Sequence, residues 1–113
     1  MTISQKDPRI EIRRKQYDFR AAPDLSGQTD AGYVPVLLLG AFTGDNPIPR
    51  LTKNGVRFGR AIDAAKEAAR MCEAALAAGR ISERCAFVRC DYKGVRPPGA
   101  MKGYVYVSYR VRH

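Results

Sequence analysis

Six side chains in the C-terminal third of the chain have the types and spacing to act together: Phe87, Arg89, Tyr104, Tyr106, Arg110 and Arg112. Cys85–Tyr92 and Gly103–Arg112 both alternate with the two-residue period of a strand. On that period the six share one face. Ala86, Val88, Cys90 and Tyr92, together with Val105, Val107, Tyr109 and Val111, take the other. Rings flanked by guanidiniums suit single-stranded nucleic acid, because a ring stacks on any base for roughly 1–3 kcal/mol while the cations follow the phosphates. Bases already paired in a duplex offer no free ring face, so single strands are the expected ligand.

Net charge points the same way. The chain has 113 residues, 20 Lys and Arg against 11 Asp and Glu, and a net charge of +9. Residues 81–113 hold seven bases and two acids, and 31–60 hold four and one, whereas 61–80 balance at three each. Fourteen of the 20 bases are Arg, the side chain that forks onto phosphate and stacks on bases; GC-rich coding, which also favours alanine, is a second explanation. Further bases lie on predicted turns: Lys53 and Arg57 beside Asn54-Gly55, and Lys93, Arg96 and Lys102 around a loop after Tyr92.

Other chemistries find little support. The one His is the last residue, and Cys72, Cys85 and Cys90 include no CxxC pair. Cys85 and Cys90 are five apart on a strand and so face opposite sides. No zinc site, Cys/His pair or Ser/His/Asp triad can be assembled, and the acids are scattered. The expectation is a non-enzymatic protein with no cofactor and no metal. The longest apolar run, Val34–Phe42, is roughly half of a bilayer span, and the charged N-terminus does not read as a secretory signal, so no membrane association and a cytoplasmic setting are expected.

The segment Lys102-Gly103-Tyr104-Val105-Tyr106-Val107-Ser108-Tyr109 resembles the RNP1 strand of the RNA-recognition motif: a base, Gly, an aromatic, a small residue, an aromatic, an aliphatic, any residue and an aromatic. Val105 departs from the usual Gly or Ala, and no clear RNP2 strand precedes the helix. The likeness covers about Ala61–Tyr109. It implies that Tyr104 and Tyr106 face outward to stack on bases while Val105, Val107 and Tyr109 face a core.

The elements that must position this face are readable in outline. Ala61–Ala78 is the surest: nine of its 18 residues are Ala, with Ile62, Ala65, Ala69, Cys72 and Leu76 at helical spacing and Gly79 as a stop. Ile10–Phe19 reads as a first strand with a bulge, or a division into two short pieces, near Arg13–Gln16, and Tyr33–Phe42 as a second strand. Leu51–Phe58 carries the Asn-Gly of a tight β-hairpin. Ala21–Gly32 reads as a mobile loop, and Lys93–Met101 as a basic hairpin loop. The fold class expected is α+β in one domain over 1–113: an antiparallel sheet of four to six strands packed on one long helix, in the order β-β-hairpin-α-β-β. Two rival uses of the face are a homodimer interface and the docking surface of a small phage- or plasmid-type protein that inhibits a host protein or ribonucleoprotein, as anti-CRISPR proteins do.

Overall fold

Alanine sets the geometry of the main layer. In the computed structural model, which describes residues 10–12, 17–39, 50–53 and 55–111, helix α1 spans Ala61–Ala77. Ala64, Ala65, Ala68 and Ala69 on it are wholly buried. Side chains this small let the helix rest close on β2 (Ala31–Leu38) and β4 (Ala86–Tyr92). The helix ends at Gly79, whose φ of +73° only glycine adopts freely. There the Arg80 N–H donates to Ala75 O at 2.9 Å and the Gly79 N–H to Leu76 O at 3.1 Å, the bond pair of a Schellman end. Lys66 is buried on this helix as well. It stands four residues from Ile62 and three from Ala69, so the alanine stripe is wide enough to take it in.

Four strands form one antiparallel sheet in the order β3–β2–β4–β5, with β3 (Arg50–Thr52) and β5 (Tyr104–Tyr106) at its edges. The α+β class with an antiparallel sheet on one helix is therefore observed among the described residues. The detailed order differs from expectation in two places.

The first is the C-terminal strand, which breaks at Val107–Ser108. The Val107 N–H still reaches Ala86 O at 2.8 Å, but β4 begins at Ala86, and residues beyond Val107 run off its end. They continue as β6 (Tyr109–Val111), which pairs with β1 (Ile10–Ile12) in a separate two-stranded ribbon. Tyr109 anchors the turn. It is buried, its hydroxyl donates to Glu73 Oε2 at 2.7 Å, and the Arg84 guanidinium lies 5.5 Å from its ring centre. The expected strand Ile10–Phe19 is likewise short: 13–16 lie outside the described residues, and Phe19 is buried in a turn with Tyr17 edge-on to its ring at 5.1 Å.

The second is the expected hairpin. Arg50–Thr52 and Phe58 do not pair with each other; both pair with β2 along one edge. Val36 stands opposite Thr52 and Tyr33 opposite Phe58. Three extra residues separate the two registers, so a bulge lies between Thr52 and Phe58, where the Val56 N–H donates to Lys53 O at 3.2 Å. Pro35 supplies the reason. Tyr33 exchanges both backbone bonds with Phe58 at 2.8 Å, which sets odd-numbered residues of β2 to bond toward β3. Pro35 has no N–H to give at that position, and a proline inside a sheet is tolerated opposite a bulge. Gly55, at φ +73°, makes the turn; Asn54 lies outside the described residues.

The loop expected over Ala21–Gly32 is pinned to the core. Leu25 is buried and its N–H donates to Gly59 O at 2.8 Å. Tyr33, fully buried, donates its hydroxyl to Pro23 O at 2.7 Å. A Cβ on Gly59 would sit 2.7 Å from the Ser26 Cα, so glycine is what permits this close approach. Among the described residues, no helix is long and apolar enough to cross a membrane.

Candidate functional site

The register decides which side chains share the sheet face away from α1. Phe87 stands opposite Tyr106 and Arg89 opposite Tyr104; across the other edge of β4, Val36 stands opposite Phe87 and Val34 opposite Arg89. The outer face therefore carries ranks that run across the strands: Thr52, Val36, Phe87, Tyr106, and beside them Val34, Arg89, Tyr104. On the helix side, Val105, Val107 and Tyr109 join the core with Ala86, Val88 and Cys90.

This outer face has a dry centre. Val34, Val36 and Leu38 are buried as a second apolar cluster, with Phe87 and Tyr104 packed on it. Tyr104 is thus no free ring. Its hydroxyl accepts a bond from Arg50 Nη1 at 2.8 Å, and because the two residues belong to opposite edge strands, their side chains span the face above β2 and β4. Phe87 is half-buried and meets Tyr106 edge-on, with ring centres 5.3 Å apart and planes at 67°. Tyr106 keeps 43% of its surface exposed. Of the three rings expected to stand bare, it is the one in water.

Charge gathers beside these rings around one acid. Arg57 lays its stem across β2 at Gly32, where a Cβ would meet the Arg57 Cβ at 2.9 Å. Its Nε donates to Asp91 Oδ2 at 2.8 Å, its Nη2 lies 2.7 Å from the same oxygen, and its Nη1 donates to Thr29 O at 3.2 Å. Arg89 Nη1 reaches Asp91 Oδ1 at 3.3 Å. Burial pushes the Asp91 carboxyl up, but the two guanidiniums together outweigh it and hold the group below the usual carboxylate range. A half-open cleft of about 660 Å³ lies here between the edge bulge and β4, lined by Val34, Thr52, Lys53, Arg57, Arg89 and Asp91 among others.

The remaining candidate bases are dispersed. Lys53 is drawn toward α1 by Glu67, at 2.7 Å. Lys93, Arg96 and Lys102 are exposed on the β4–β5 loop. Arg110 lies opposite Glu11 on the separate β1–β6 ribbon, not on the four-stranded sheet that carries Tyr104 and Tyr106, because the strand breaks before it. Arg112 is outside the described residues. Among the described residues no group of three or more His, Cys, Asp or Glu is placed to hold a metal ion.

The sequence reading missed Arg50, Thr52, the Asp91 hub and the valine strip. Two signals were present. Val36–Leu39 is apolar on both parities, which calls for cover on both faces, and Asp91 shares its parity with Phe87 and Arg89. Arg50 and Thr52 were hidden by reading 51–58 as a self-paired hairpin. In comparisons with protein-family models, curated proteins and solved structures, none matches this chain.

Proposed function

We propose that this is a non-enzymatic nucleic-acid-binding protein that takes single strands on the outer sheet face. The observation that carries the reading is Tyr106: an exposed ring braced edge-on by Phe87 and one rank from Arg89, on the same face as the Arg57–Asp91–Arg89 group. The ring stacks on a base, and the guanidiniums meet the phosphates that flank it. Asp91 is the one acid among the described residues of the four-stranded sheet, so the face repels a polyanion at a single point. The likeness of 102–109 to an RNP1 strand supports the same use of Tyr106. We place this activity in the cytoplasm, where three free cysteines persist as thiols.

Fluorescence anisotropy with labelled single-stranded RNA, single-stranded DNA and duplex, at two salt concentrations, tests the reading. Single strands should bind best, and affinity should fall steeply with salt as counterions are released. Tyr106→Ala should weaken binding by roughly tenfold; it is a cleaner test than Tyr104→Ala, which also uncovers the valine strip. Unchanged affinity in the Tyr106 variant would reject the stacking surface. A stable protein partner recovered from nuclease-treated lysate, without oligonucleotide binding, would favour the host-inhibitor use of the face instead.

A further inference from the structure

The cleft beside the edge bulge follows from a chain of local causes. Pro35 withholds a backbone donor, the edge bulges between Thr52 and Phe58, and Gly32 leaves a trough through which Arg57 reaches Asp91. At about 660 Å³ the cleft falls within the roughly 300–1,000 Å³ range of small-ligand sites. Lys53 is committed to Glu67 on α1, which leaves two guanidiniums and one carboxylate facing the space.

Donor accounting shows capacity to spare. A guanidinium offers five N–H groups in a fixed fork. Among the described residues Arg89 spends one of them, on the long 3.3 Å contact to Asp91. The Arg89 and Asp91 side chains are 35% and 29% exposed, so their ion pair is a weak one. We propose that this cleft is a phosphate-ester site in which Arg57 and Arg89 donate to the phosphate oxygens and Asp91 is the placeholder anion that the phosphate displaces. A tetrahedral anion can bridge two forks that a planar carboxylate touches only at its two oxygens. Val34 offers an apolar wall for the attached sugar, and Thr52 a hydroxyl at the rim. The inference rests on the nucleic-acid reading for the source of the phosphate, the backbone of a single strand rather than a free nucleotide.

The test uses the full chain with three probes: inorganic pyrophosphate, thymidine 5′-monophosphate and a short oligothymidylate. Thermal shift reads the first two and anisotropy the third. Wild type should bind all three, the oligothymidylate best, and Arg57→Gln with Arg89→Gln should lose roughly tenfold or more on each. Asp91→Asn, which removes the competitor, should tighten binding by roughly two- to fivefold. Circular dichroism checks folding; should the double variant not fold, the Asp91→Asn result decides, and equal or weaker binding there overturns the site. Oligothymidylate binding that survives in a folded double variant overturns the cleft and leaves the Tyr106 surface standing. Pyrophosphate binding that depends on both arginines, with no oligothymidylate binding, supports the cleft and removes the strand as its ligand. Wild type that binds none of the three overturns the site.

Discussion

The two faces of the four-stranded sheet are closed by opposite means. Against the helix the cover is shape: alanines and Cys72 wholly buried, with the Tyr33 and Tyr109 hydroxyls each bonded to a partner inside the fold. On the outer face the cover is a thin valine strip under two half-buried rings, edged by Arg50, Arg57 and Arg89. A surface closed by shape has little to offer a ligand. One closed by long charged side chains can exchange its internal contacts for contacts with an anion. Substitutions on the helix side should therefore be read in stability, and those on the outer face in affinity.

The widest separation should come from Leu37 and Tyr106. Leu37 is buried on the helix side, and Leu37→Ala should lower stability by about 2–5 kcal/mol in urea unfolding, for lost transfer energy and the cavity left behind. Tyr106→Ala should lower it by about 1 kcal/mol or less, the worth of one edge-on aromatic pair. Similar losses in the two variants would break the contrast between the faces. The next effect is overpacking. Ala68 has no exposed surface, so Ala68→Leu should cost about 1–3 kcal/mol by pushing the helix off the sheet. A neutral result would mean that the layers are looser than the buried alanines imply.

The helix side was the more legible half. Alanine density, the period of the apolar residues and Gly79 located α1 to within one residue at its C-terminal end, and strict alternation placed the faces of β4 and β5, because both signals are local. What the sequence concealed was pairing. Asn54-Gly55 marks a turn in either arrangement, and the bulge rests on Pro35, nearly twenty residues away, facing that edge. The end of the C-terminal strand is set by where β4 starts, which the alternation of 103–112 does not contain. Arg110 was placed on the same sheet as the rings for that reason, and Arg50, whose guanidinium crosses to Tyr104, was passed over because its strand was unrecognised.

Solution pH should separate the faces as well. Burial pushes the Tyr33 hydroxyl up to about 12, with Cys90, Tyr17 and Asp24 adding smaller repulsions. Burial also raises Tyr109, helped by its contacts with Cys72 and Glu73. The unfolded chain releases these protons near pH 10 and the folded chain does not. Their contribution is therefore complete below about pH 10 and lost as pH rises toward the folded values. Urea midpoints should fall above about pH 10. Tyr109→Phe, which removes one titrating group and the bond to Glu73, should cost about 1 kcal/mol at neutral pH and show a shallower alkaline fall.

The smallest effect belongs to the outer face and has the opposite sign. Asp91 is held below the ordinary carboxylate range, so the stability it contributes is present above about pH 4 and is lost as pH falls through its lowered value. Both of its partners are partly exposed, which limits the loss to about 1 kcal/mol or less. Urea midpoints from neutral pH down to about pH 3 should show that Asp91→Asn has a smaller acid-induced fall than wild type, with little difference at neutral pH. A large neutral-pH loss in Asp91→Asn would mean that the Arg57–Asp91–Arg89 group is a structural clasp, and the outer face would then be closed as firmly as the side under the helix.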